Sequence, residues 1–243
     1  MRAKNQVTVA RGAGQTRRRG QPRGGPAAPL LPATARRPAV GVALCCLALV
    51  VTLGLLFAHQ SHGRAIDDAV DSWVMGLHIR SSTLELISRL GDLPAMTVMT
   101  GVLALACLAV RRLAGALLAV IGVLIALALT EDVLKPLVHR TITVNHYLTY
   151  PSGHTTALFA LSTAVAVVLL SPTSGRPRPA VRIGIVIVAV IVSCLVGLAM
   201  IGLDFHYFTD AIAGAAVGIG VVLGTAFLLD VGVVRRWLGR LSR

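Results

Sequence analysis

Aromatic and charged side chains are both scarce: Phe, Trp and Tyr supply 4% of the 243 residues, and Asp, Glu, Lys and Arg together only 14%. A soluble domain is usually about a quarter charged and fills its core with bulky branched and aromatic groups. This chain has neither, which excludes an ordinary soluble globular fold. Only ten residues are acidic, against 23 Lys and Arg, so the net charge is +13. Such a charge would suit nucleic-acid binding if it formed a patch interleaved with aromatics. Here the cations sit at the chain ends and in short loops, and that partner is excluded. The four cysteines, Cys45, Cys46, Cys107 and Cys194, lie inside apolar runs without metal-site or disulfide spacing. They are expected to behave as small hydrophobes facing lipid or helix. No apolar run carries a midplane charge or a clear broken-helix pair, which argues against a transporter.

What the chain has is apolar residues, 55% of the total, with a mean hydropathy of +0.78. They are mostly Ala, Gly, Val and Leu, the composition that lets helices pack closely in lipid. The expected fold class is all-α: a polytopic membrane protein built as a six-helix transmembrane bundle. A hydrocarbon core of about 30 Å needs about 20 helical residues. Six uncharged runs approach or meet that length: Ala39–Ala58, Leu93–Val110, Leu113–Thr130, Thr155–Ser171, Ile183–Leu203 and Ala211–Leu229. Residues 1–37 hold eight Arg and one Lys among Gly, Pro, Gln and Ala, and read as a disordered basic tail. Residues 38–230 form the membrane domain, and 231–243 a second basic tail.

Lys and Arg accumulate on the cytoplasmic side of membrane proteins. With the amino terminus inside, eighteen of them fall inside and five outside, so both termini are expected to be cytoplasmic. Nine of the ten acidic residues then fall outside, Asp230 being the exception. Between Arg64 and Arg89, Ile66, Val70, Trp73 and Leu77 recur at helical spacing and predict a short amphipathic helix at the external interface.

The chemistry-bearing residues gather on that external side: Lys135, His139, Arg140, His146, Ser152, Gly153, His154, His206 and Asp210. In Tyr150-Pro151-Ser152-Gly153-His154, the proline stops any upstream helix and Ser152 suits an N-cap. The amides that follow would face outward at the positive end of a helix dipole and offer an anion site. Gly153 permits close approach, and His154 can exchange a proton near neutrality. His206 and Asp210 are four residues apart, so on a helix the carboxylate could orient the imidazole. Lys135 and Arg140 supply cations for a phosphate. Each cluster alone also fits an ordinary interfacial loop.

In order and topology the three clusters resemble the type 2 phosphatidic acid phosphatase superfamily, which includes undecaprenyl-diphosphate phosphatases. Its pattern is Lys, six residues, Arg-Pro; then Pro-Ser-Gly-His; then Ser-Arg, five residues, His, three residues, Asp. The resemblance implies His206 as nucleophile, Asp210 as its partner and His154 as the acid for the leaving alcohol. Lys135, Ser152 and Gly153 would hold the phosphoryl oxygens. It further implies a metal-independent hydrolase without cofactor, acting through a phosphohistidine on a lipid phosphate or polyprenyl diphosphate at the external face of the cell membrane, among membrane lipids. A lipid phosphotransferase or a non-catalytic lipid-binding scaffold of the same fold are the alternatives. Two arginines of the pattern are absent: Ile142 and Thr143 replace Arg-Pro, and Ala199 and Met200 replace Ser-Arg. Arg140 is therefore expected to take over part of their phosphate binding.

Overall fold

The computed structural model describes residues 29–142, 147–171 and 178–232, together with 234, 236 and 237. The described residues contain nine α-helices and no strand, only an isolated bridge between Thr141 and Leu148. The helices are α1 (Ala33–Phe57), α2 (Ala65–Gly76), α3 (Ser81–Ser88), α4 (Leu93–Ala109), α5 (Leu113–Ala128), α6 (Lys135–Val138), α7 (Gly153–Leu170), α8 (Pro179–Gly202) and α9 (Phe208–Leu229). Five crossings are long and apolar enough by themselves, α5 through α6 counting as one. The sixth forms if Ser81–Gly91 and α4, bent by 46°, are one broken span. Helix α4 by itself has 17 residues, which at 1.5 Å per residue is short of the hydrocarbon thickness. The chain is a multi-pass helical membrane protein.

Helices α7 and α9 form the centre. Their backbones touch through α9 glycines: a Cβ on Gly214 would lie 2.5 Å from the Ser152 carbonyl oxygen, and one on Gly218 2.5 Å from that of Thr156. This is the small-xxx-small contact that membrane helices use where no hydrophobic force separates lipid from protein. A hydroxyl pair, Ser162 and Ser193 at 2.8 Å, ties α7 to α8. The outer flanks stay apolar and exposed, as at Leu44, Leu47 and Leu55 on α1 and Ile183, Ile187 and Ile191 on α8. Such flanks suit lipid.

At one end of the bundle, basic residues close the carboxyl end of α7. Arg112 donates to the Val168 carbonyl at 2.6 Å and to the Ser171 hydroxyl, and Arg182 to the Leu169 carbonyl at 3.2 Å. The last carbonyls of a helix have no intrahelical donor, and cations there also suit the dipole. Nearby, Asp230 accepts the amides of Leu30 and Leu31. The chain is thus ordered earlier than the expected tail boundary at residue 37, because Ala33 to Arg37 already belong to α1. Residues 1–28 of that tail lie outside the described residues, as does most of 231–243.

The segment expected to be one amphipathic helix is two, α2 and α3. Of the expected apolar face, Ile66, Trp73 and Leu77 are exposed and Val70 is half-buried against Val74 and Ile201, while Asp67 and Val74 turn inward. Leu84 of α3 packs on α8 where a Cβ on Gly202 would come within 2.9 Å of its Cδ1.

Candidate active site

A cavity of about 600 Å³ opens at the other end of the bundle from Arg112 and Arg182. Its ionisable lining residues are Glu131, Lys135, Tyr147, His154 and His206, and most of the remaining wall is apolar, with Leu93, Met96 and Met200. Sequence elements far apart in the chain thus converge on one chamber.

Lys135 arrives on a continuation of the third crossing rather than in a loop. Beyond α5 the helix widens into a π-helical turn, Leu129–Leu134, and resumes as α6. Pro136 has no N–H for the usual helical bond, and the wide turn lies immediately before it. Such turns recur at functional sites. The outcome is an ion pair, Lys135 Nζ to Glu131 Oε2 at 2.8 Å. Glu131 also stands against the start of α7: a Cβ on Gly153 would collide with its Oε1 and lie 3.9 Å from Lys135 Nζ. Sequence reasoning missed Glu131, although its four-residue spacing to Lys135 was the available signal.

Helix α7 begins at Gly153 with Ser152 in the N-cap position. Ser152 does not use its side chain as a cap. Its Oγ accepts from Thr155 Oγ1 at 3.1 Å, and its amide donates to the Asp210 carbonyl at 3.0 Å. Fully buried and absent from the cavity wall, it fixes the start of α7 against α9. Tyr150, also fully buried, donates its hydroxyl to the Val50 carbonyl at 2.6 Å and pins the same segment to α1. His154 faces the cavity, its Nε2 3.1 Å from Asp92 Oδ1. The turn before α4 lies against the ring, since a Cβ on Gly91 would come within 2.5 Å of His154 Cδ2. Asp92 and Gly91 were not foreseen either, because nothing in the local sequence announces a contact 62 residues away.

His206 lies just before α9, not on it. Its Nδ1 is 3.9 Å from Asp210 Oδ2, ion-pair range rather than a hydrogen bond, and that nitrogen is buried without a hydrogen-bond partner. Asp210 spends its carboxylate elsewhere. Oδ1 accepts from Arg140 at 2.6 Å, and Oδ2 from the Tyr207 amide at 3.1 Å.

Arg140 corrects the expectation that it binds phosphate. It is fully buried, does not line the cavity, and bridges Asp210 and Asp67, the latter at 2.8 Å. It also donates to Thr209 Oγ1, and its guanidinium lies between the Phe57 and Tyr207 rings, 4.0 and 4.2 Å from their centroids. Stacking and paired carboxylates are what a buried guanidinium requires. Asp67 accepts the Thr209 amide as well. Burial pushes the Asp67 carboxyl up, but bonds from Thr209 and Arg140 outweigh it and hold it below the usual carboxylate range. One helical turn on, burial and the neighbouring Asp67 charge push Asp71 up to about 7.

His139 ends α6 in a left-handed conformation, φ 49°, with its ring 5.9 Å from that of His59 and away from the cavity. Where the resembling pattern has arginines, Ile142 and Ala199 are buried and Met200 is a cavity wall. Thr143 and His146 lie outside the described residues.

Residues 116–230 match the family model described as the PAP2 superfamily. That segment, a little under half of the chain, is similar to the PAP2 superfamily. The match contains Lys135, His154, His206 and Asp210, and leaves Asp67 and Asp92 outside. The helical arrangement is similar to the crystal structure of a transmembrane PAP2 type phosphatidylglycerolphosphate phosphatase from Bacillus subtilis. The TM-score is 0.58 at 19% identity, covering 79% of this chain and 95% of that one. At that identity the likeness establishes the PAP2 fold alone. No curated protein sequence matches significantly.

Proposed function

We propose that the chain is a membrane-embedded phosphatase of lipid phosphates or polyprenyl diphosphates, working at the external end of the bundle through His206. The observation that carries this reading is the convergence of His154, His206, Lys135 and Gly153 on one largely apolar cavity among the crossings. An amphiphile fits such a chamber, its phosphoryl group among the polar residues and its chains along Leu93 and Met96. The match of residues 116–230 to the PAP2 superfamily model, and the activity named for the Bacillus subtilis neighbour, support the same reaction class.

In this reading a ring nitrogen of His206 attacks phosphorus in line, and the electron pair of the breaking P–O bond passes to the leaving oxygen. His154 protonates that oxygen, and water then hydrolyses the phosphohistidine with His154 taking the proton back. Asp210, at 3.9 Å, stabilises the positive ring that forms on His206. Asp92 holds His154 in place, and Lys135 with the first amides of α7 meets the phosphoryl oxygens. No step needs a metal ion. The orientation that makes this end external rests on the distribution of Lys and Arg.

The test is phosphate release from phosphatidate, phosphatidylglycerol phosphate and a polyprenyl diphosphate by purified protein in detergent. Wild type should release phosphate from at least one of them and His206→Ala from none. Equal release by both proteins rejects the assignment.

A further inference from the structure

The cavity has almost no net positive charge with which to receive a phosphate. Lys135 is its one lining Lys or Arg among the described residues, and Glu131 neutralises it at 2.8 Å. Arg140, the other cation of the region, is committed to Asp67 and Asp210 behind the wall. Met200 presents a thioether where the resembling pattern has a guanidinium. The lining carboxylate and ammonium sum to zero.

Glu131 does more than cancel a charge. Its Oε2 pairs with the Lys135 ammonium and its Oε1 stands against the Gly153 backbone, the two groups expected to hold a phosphoryl group. The side chain is 46% exposed, so it has room to swing aside when a ligand enters. His206 lines the same chamber, 9% exposed, with its buried Nδ1 turned to Asp210 at 3.9 Å.

We infer that Glu131 determines specificity by charge: it makes this cradle select a phosphoryl group bearing one negative charge, as in a phosphodiester or a singly protonated monoester, over a dianionic one. The inference rests on the proposed phosphoryl site. A ligand carrying a second negative charge meets an additional repulsion from a carboxylate only a few ångströms away. In a half-exposed site that is worth about a tenfold discrimination or more.

Two non-hydrolysable probes separate the charge from the chemistry. In mildly alkaline buffer phenylphosphonate is a dianion and ethyl phenylphosphonate a monoanion; in mildly acidic buffer both are monoanions. The ester keeps its charge throughout, so it controls for titration of His154 and His206. Binding is measured by calorimetry on the full chain in detergent. Wild type should bind the ester about tenfold tighter in alkaline buffer and the two probes alike in acid. Glu131→Gln should erase or reverse the alkaline preference, and Glu131→Asp, which keeps the charge, should retain most of it. Equal or tighter binding of the dianion by alkaline wild type overturns the inference, whatever the variants do. So does an unchanged preference in folded Glu131→Gln. Binding of neither probe to wild type overturns the cradle itself. A correct preference combined with no lipid phosphate release by wild type leaves the inference standing and rejects only the hydrolase.

Discussion

Arg140 offers the clearest quantitative test, because its guanidinium is the single cation between two fully buried carboxylates, Asp67 and Asp210. Arg140→Met preserves apolar bulk between Phe57 and Tyr207 and removes only the charge and the donors. Two buried carboxylates then lose their shared cation and keep backbone amides, from Thr209 on Asp67 and from Tyr207 on Asp210. Breaking a buried pair in this way costs about 3–5 kcal/mol. With Cys45, Cys46 and Cys194 replaced by Ala, unfolding in detergent can be followed through Cys107, whose buried thiol becomes reactive when the bundle opens. The variant should unfold at markedly lower temperature or denaturant. Adding Asp67→Asn should restore part of the loss, because one stranded charge disappears, and the cycle should show coupling of about 1–3 kcal/mol. A variant as stable as wild type that has lost only phosphate affinity would refute the clamp and return Arg140 to the phosphate.

Asp71, pushed up to about 7 by burial and the Asp67 charge, should make the fold less stable as pH rises from the ordinary carboxylate range to about 7. In that window the folded state holds a proton that the unfolded chain has released. Asp71→Asn should flatten this part of the profile and be the more stable protein at and above neutrality; parallel profiles would contradict the shift. Gly91→Ala would place a methyl 2.5 Å from His154 Cδ2, and by displacing that ring should lower kcat about tenfold to a hundredfold with the fold retained, whereas unchanged kcat would show that the ring is free to move. In a background without the native cysteines, Tyr147→Cys should react with an impermeant thiol reagent from outside the cell and Trp237→Cys should not; the reverse pattern would invert the proposed topology.

Hydropathy made the crossings legible because lipid imposes one rule on every residue of a span, and the long apolar runs correspond to α1, α5, α7, α8 and α9. It failed at the edges, where other forces act. Ala33 to Arg37 are polar enough to read as tail but continue the helix of α1. The charged stretch from Glu131 to Lys135 reads as loop but extends the third crossing through a π turn. Lys135, Gly153, His154 and His206 were found by their order and spacing, and the fold brings them to one cavity. Arg140 was misread for a physical reason. Sequence shows a guanidinium near a proposed phosphate but not the carboxylate 73 residues away that claims it. Asp67, Asp92 and Glu131 passed for external acidic residues because their roles exist only once distant helices meet.

The central claim is covalent catalysis at His206, and the direct measurement is capture of the phosphoenzyme. Purified protein is mixed with lipid substrate radiolabelled in its phosphoryl group, then quenched rapidly into denaturing alkali, in which phosphohistidine survives. The account predicts label retained on wild type and mapped to the peptide containing His206, with none on His206→Ala. Sustained phosphate release by wild type with no label on the protein, or label on His206→Ala equal to that on wild type, would contradict it.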